Sequence, residues 1–222
     1  MQTSKSSRET VLGAIRSSLP KNKVEHPRIP FFQRSDERLK TEFERHLQEA
    51  GGIAYDVATV AEAEAKLMTL HPGAKVICSA VSAISGTRKA EDSDPHEFAD
   101  VDVGIVRAQF GVAESGAVWL TQEDLVVDAL AFLSQHLIVL LDPEQIVSDM
   151  HEAYRRVQLN KTAFGCFMMG PSATADVEAT LVHGAQGARS LNIFFLPFSQ
   201  APVLPTSTAI ESDLSETHGS SR

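Results

Sequence analysis

Apolar residues along this chain arrive in short, dense runs separated by longer stretches in which they recur at helical spacing. The runs "AKVICSAV" (74–81), "LIVLL" (137–141), "AFGCFMM" (163–169) and "LNIFFLPF" (191–198) are rich in β-branched, aromatic and aliphatic side chains. They carry little polar alternation, the pattern of strands buried on both faces. Between them lie segments with a 3.6-residue period. In 7–19 the residues Val11, Leu12, Ile15 and Leu19 make one apolar stripe, and Ser6 or Ser7 can cap the start. The stretch 35–50 predicts a helix capped by Ser35, favoured at its N-terminus by Asp36 and Glu37 and ended by Gly51-Gly52.

The same pattern continues through the rest of the chain. It predicts a strand at 52–58, a helix at 59–71 and two strands around a turn at 101–121. After the run at 137–141 it predicts one helix over 142–158, with Asp142 at its cap and Pro143 at its first position. Residues 172–184, "SATADVEATLVHG", read as a further helix, with Ser172 as its cap and Thr174 and Asp176 in its first turn. A strand at 192–198 closes the series. Strand and helix in alternation predict an α/β fold: a mostly parallel sheet flanked by helices, with ligands bound beyond the carboxyl ends of the strands. Three prolines between Pro20 and Pro30 make 20–34 an extended arm, and the polar stretch 206–222 reads as a flexible tail. The domain reading is therefore 1–34 as helix and arm, 35–205 as the α/β domain and 206–222 as the tail.

Composition narrows the function classes. The net charge of −9 comes from 20 basic and 29 acidic residues, and six carboxylates against one lysine crowd 89–102. That balance excludes a nucleic-acid surface on the main body. The first 30 residues lean the other way, with six Lys/Arg against two Glu, and read as a solvated arm. Two cysteines, Cys78 and Cys166, each sit in an apolar run. They read as buried free thiols in a reducing compartment and cannot supply an iron–sulfur cluster or a four-thiolate zinc site. No apolar stretch reaches membrane-spanning length, and 1–19 lacks the apolar core of a signal peptide, so the expectation is a cytoplasmic protein.

Three stretches carry candidate chemistry. In 169–188, Gly170-Pro171 makes a tight turn, and a helix starting at Ser172 offers free backbone N–H groups to an anion, a charge that Asp176 can itself use. In "GVAESGAVWL" (111–120), small residues surround the lone carboxylate Glu114, which can act as nucleophile, base or acceptor, or pair with a backbone N–H. In "FLSQHLIVLL" (132–141), His136 leads into a buried strand as a ligand-facing or structural imidazole.

Taken in order, the N-terminal helix "ETVLGAIRSSL", "GVAESGAVWL", "LSQHLIVLL" followed by "EQIVSDMHEAY", the signature "GPSATADVE" and a glycine-rich turn before the last strand resemble the LUD domain of the lactate-utilization protein C family (LutC/YkgG). The resemblance covers nearly the whole chain to about Pro205. It implies the fold shared by glucosamine-phosphate deaminases, ribose-phosphate isomerases and CoA transferases (NagB/RpiA/CoA transferase-like). It further implies a component, without redox group or cofactor of its own, of a bacterial system that oxidises L-lactate to pyruvate. Iron–sulfur clusters are expected on the partner proteins. The site residues it points to are Glu114, Ser115, His136, Ser172, Thr174, Asp176, Glu178 and Gln186, with Glu114 the catalytic candidate and no metal. The chain departs from the family pattern at Ser115, Leu133, Ala173, Gln186 and Ala188, and lacks the arginine usual a few residues before Leu133, so that two cationic groups and a histidine have gone. Two other readings stay open: a CoA- or acyl-transfer enzyme with Glu114 as nucleophile, and a module that binds a small carboxylate or sugar phosphate.

Overall fold

The computed structural model describes residues 6–20, 27, 38–90, 94–158, 161–176 and 179–197. The chain divides into two units, Met1–Gln33 and Arg34–Arg222. In the first, α1 (Ser7–Ser18) starts with a capping box: the Ser6 hydroxyl accepts from Glu9 N–H while the Glu9 carboxylate accepts from Ser6 N–H. Most of the extended arm and the C-terminal tail lie outside the described residues, as do Ser35, Asp36 and Glu37.

The second unit is built on a six-stranded sheet. Its strands are β1 (Ile53–Asp56), β2 (Ile77–Ser79), β3 (Arg88–Lys89), β4 (Val103–Arg107), β7 (His136–Leu141) and β12 (Ser190–Phe195). They lie in the order β1-β12-β7-β4-β2-β3, and every pair is parallel. The expected largely parallel α/β sheet is therefore present. Its central strands β4, β7 and β12 are apolar on both sides, and the period of two sorts them. Leu137, Val139 and Leu141 join one core cluster with Leu191, Ile193 and Phe195. Ile138, Leu140, Phe194, Val103 and Ile105 join another on the opposite face, with Ala63 and Leu67 of α3 (Val60–Leu70).

The first of these faces is covered by α2 (Leu39–Glu49), by the short helices α4 (Gln122–Leu125) and α5 (Ala129–Leu133), and by a second sheet. That sheet holds β5 (Phe110–Val112), β6 (Ala117–Thr121), β8 (Ile146–Val147) and β9 (Gly165–Met168), in the order β8-β5-β6-β9. Val118 and Leu120 of β6 face the common core, while Trp119 packs on the far side with Phe110, Phe167 and Ala153 of α6 (Met150–Arg156). Gly111 lets the two sheets close: a Cβ there would stand 2.9 Å from both Leu141 and Phe43.

Three expectations change. Residues 101–121 form three strands, not two, because the chain leaves the parallel sheet after Arg107 and re-enters the smaller one at Phe110. Residues 142–158 are not one helix. Asp142 caps only the 3-10 turn Pro143–Gln145, β8 follows, and α6 begins after a second cap at Asp149. The described residues of 172–184 form no helix either. They hold the hairpin strands β10 (Ala173–Thr174) and β11 (Val182–His183), paired antiparallel. Helix α2 is described from Leu39, and its expected start at Ser35 lies outside the described residues.

Candidate functional site

Parallel strands of similar register bring their first residues side by side. Val103 and Ser190 both pair with His136, so the amino ends of β4, β7 and β12 form one ledge. Each apolar run is preceded or opened by a polar residue: Asp102 before β4, Gln135 and His136 at β7, Arg189 and Ser190 at β12. Above them a cleft of about 440 Å³ is lined by His71, Asp100, Asp102, Gln135, His136 and Arg189, among others.

Each group is held from its backbone. His136 N–H donates to the Asp102 carbonyl at 2.9 Å, and Arg189 N–H donates to the Gln135 carbonyl at 2.8 Å. The Asp102 carboxylate accepts from the backbone N–H of Val76 (2.9 Å) and of Lys75 (2.7 Å), both through Oδ2. These two donors hold its pKa below the usual carboxylate value. Asp100 is engaged by Arg88 in a two-pronged pair at 2.7 and 2.8 Å. Arg189 makes no ion pair among the described residues. Its stem lies across Gly184, which has φ +75°, and a Cβ at that glycine would stand 3.0 Å from Arg189 Cα. The glycine-rich turn thus sets the arginine in place.

Two imidazoles sit together in this cleft. His71, at the end of α3, stands against His136 with ring centroids 4.4 Å apart and planes inclined by 31°. His136 Nδ1 lies 2.8 Å from the Ser190 hydroxyl. Burial lowers the pKa of both rings; the His136 ring adds to the effect on His71, and the Arg189 charge adds to the effect on His136. His71 Nε2 is buried with no hydrogen-bond partner among the described residues, a cost that a structure seldom carries without use.

Of the described residues predicted from sequence, His136 alone lines this cleft. Glu114 and Ser115 belong to the turn between β5 and β6 of the smaller sheet. Glu114 is exposed, and its carboxylate accepts from Met150 N–H at 3.0 Å, the first residue of α6. The Ser115 hydroxyl accepts from Ala117 N–H at 3.4 Å. Ser172 caps no helix: its N–H donates to the Ala188 carbonyl and its carbonyl accepts from Gly184 N–H, which ties the hairpin shut. The anion site expected at a helix start there has no helix to supply it. The Thr174 hydroxyl accepts from Asp176 N–H at 3.2 Å within an exposed turn, and Gln186 is exposed. Glu178 lies outside the described residues. Sequence reasoning did not reach Asp102 and Arg189, although the polar residue at the mouth of each apolar run was a visible signal, nor His71, which closes α3 and carried no such signal.

The cleft lies at the amino ends of the parallel strands, opposite to the end expected. The carboxyl ends are occupied by packing. Arg107 and the buried Asp142 flank them, and Asp124 accepts from Thr121 N–H, the Thr121 hydroxyl and the Gln109 amide. Burial raises the Asp124 pKa despite these donors. A smaller cleft of about 280 Å³ opens nearby, between Trp119, Thr121, Arg156 and Lys161.

Fold and cleft together define an α/β protein in which a parallel sheet, backed by a smaller mixed sheet, opens a polar cleft at the amino ends of its central strands. The chain belongs to the LUD domain family, whose sequence profile matches residues 77–196, more than half of its length. It is 29% identical over 118 residues to an uncharacterized protein of Neisseria meningitidis serogroup B, a match covering 52% of this chain and 51% of that one. It is 28% identical over 92 residues to Lactate utilization protein C of Oceanobacillus iheyensis, covering 39% of this chain and 40% of the relative. With Lactate utilization protein C of Halalkalibacterium halodurans the identity is 33% over 93 residues, with the same coverage. The chain thus spans about half or less of these relatives' length. A DUF162 family protein of Deinococcus radiodurans has a similar fold, with a TM-score of 0.58 at 13% identity, covering 74% of this chain and 99% of that one.

Proposed function

We propose that this chain serves bacterial L-lactate utilization as a component without a redox group of its own, acting beside iron–sulfur proteins that carry the electrons. The observation behind this reading is the LUD family match together with two relatives named Lactate utilization protein C. The cysteine pattern supports it. Cys78 stands in β2 of the large sheet and Cys166 in β9 of the smaller one, and burial raises the pKa of each thiol. Thiols so placed are poor cluster ligands, since a ligand must be the thiolate. Glu114 gives little support to acyl transfer, because its carboxylate is engaged in holding the start of α6.

The test is affinity capture of the tagged chain from its native cells growing on L-lactate, paired with growth of a strain lacking it. Co-purifying iron–sulfur proteins and failure to grow on L-lactate are the expected results. Capture of the chain alone under mild conditions, with unimpaired growth of the deletion strain, would overturn the reading.

A further inference from the structure

We infer that the cleft at the amino ends of β4, β7 and β12 binds a hydroxylated monocarboxylate, with the ligand carboxylate on the Arg189 guanidinium and a ligand hydroxyl donating to the Asp102 carboxylate. The inference deepens the lactate reading and rests on it for L-lactate as the first ligand to try. The site itself is argued from its own chemistry.

The charges in the cleft are few. Asp100 is matched by Arg88, at 2.7 and 2.8 Å. Among the lining residues that leaves one cation, Arg189, and one carboxylate, Asp102, at the starts of β12 and β4, the two strands that flank β7. A single guanidinium suits a single carboxylate, which it can grip with two parallel N–H groups. A phosphate dianion fits worse: it would bring two charges to one cation beside the negative Asp102. Asp102 receives its backbone donors through Oδ2, so Oδ1 is left to accept from a ligand. A carboxylate only accepts hydrogen bonds. It therefore favours a ligand hydroxyl and repels the ketone oxygen of the corresponding 2-oxo acid. The two imidazoles face the same space and stay uncharged near neutral pH, and they bring donors without adding a second cation. The cleft, at about 440 Å³, also has room for an acid longer than three carbons.

The experiment is calorimetric titration of the full chain with L-lactate, pyruvate and D-gluconate, with histidine ring signals followed by NMR in the same samples. A hydroxy acid should bind at least about tenfold more tightly than pyruvate and shift the His71 and His136 ring signals. Arg189→Gln should weaken binding at least about tenfold, whereas Arg189→Lys keeps part of it; near-native ring signals in the free variants show that they fold. Asp102→Asn should erase the preference for the hydroxy acid, because an amide can donate to a ketone. If none of the three acids binds, or if Arg189→Gln binds as well as the parent, the inference falls. In that case a strain that still needs the chain for growth on L-lactate leaves the lactate reading standing. If D-gluconate binds through Arg189 and Asp102 and L-lactate does not, the inference stands with a longer hydroxy acid as its ligand, and growth of the deletion strain on L-lactate decides the lactate reading separately.

Discussion

Burial sets the behaviour of single residues in the cleft, and the His71–His136 pair shows this most directly. Both rings have their pKa lowered, first by burial. The groups around them are Asp100, Asp102 and Arg189. In the unfolded chain each ring titrates near the ordinary value of about 6.5. Above that pH both states are neutral and the pair costs nothing. As pH falls the unfolded chain takes up protons first, so folding stability drops until the folded-state values are passed. The denaturation midpoint should therefore drop on going from pH 7.5 to pH 5.5, and comparison with a histidine variant separates this from the raised Asp124 carboxyl. His71→Phe keeps a ring against His136 and removes both the titration and the orphan Nε2, so its curve should be flatter. Equal slopes for parent and variant would show that the pair is not the source. Glu114 is a second case, for which sequence could name the residue but not its task. Glu114→Ala should lower stability by about 1 kcal/mol through loss of the acceptor on Met150 N–H. Urea denaturation of the variant measures this directly.

At the scale of elements, the legible parts were those whose own residues decide their structure. The runs at 137–141 and 191–196 are apolar at every step or nearly so, and both are central strands of the parallel sheet. Helix α3 has its period, its Thr59 cap and its stop before Pro72-Gly73 all in one segment. The misread parts are those in which tertiary pairing overrides local preference. Residues 172–184 have helical spacing and a serine at the start. Yet Gly170, at φ +63°, packs against Ala50, and Gly187 packs against Ser172, so the segment is folded back as a hairpin against other elements. The smaller sheet was illegible because β8 is only two residues long and pairs with β5, far from it in sequence. The turn 113–116 shows the reverse: its small residues looked like a ligand loop and answer to packing. Gly116 has φ +68°, and a Cβ there would stand 2.7 Å from Leu47 Cα of α2. Gly116→Ala must both strain the backbone and push α2 outward, and should cost about 2–3 kcal/mol. The site was half legible for the same reason. His136 is announced by the run it opens, whereas its neighbours Asp102 and Arg189 arrive through strand register.

For the whole molecule, the question is whether the two sheets are one folding unit. The largest apolar cluster belongs to neither sheet alone: Leu141 and Phe195 come from the parallel sheet, Val118 and Leu120 from the smaller one. Phe43 of α2 is fully buried among them, edge-on to Phe195 at 5.8 Å and against the face of Gly111. It is therefore the side chain that both sheets share. Phe43→Ala should cost about 3–5 kcal/mol, a large part of the roughly 5–15 kcal/mol that holds a typical domain together. The chain carries a single tryptophan, Trp119, in β6, so its fluorescence reports on the smaller sheet. Far-ultraviolet circular dichroism is dominated by the helices and the larger sheet. If the sheets fold as one, the two signals have a common denaturation midpoint in the parent and move together in Phe43→Ala. If the Trp119 transition shifts alone, the smaller sheet unfolds independently, and the cleft at the far end of the parallel sheet would survive its loss. Coincident shifts mean that the cleft is supported through the shared core by residues such as Phe43 that never touch it.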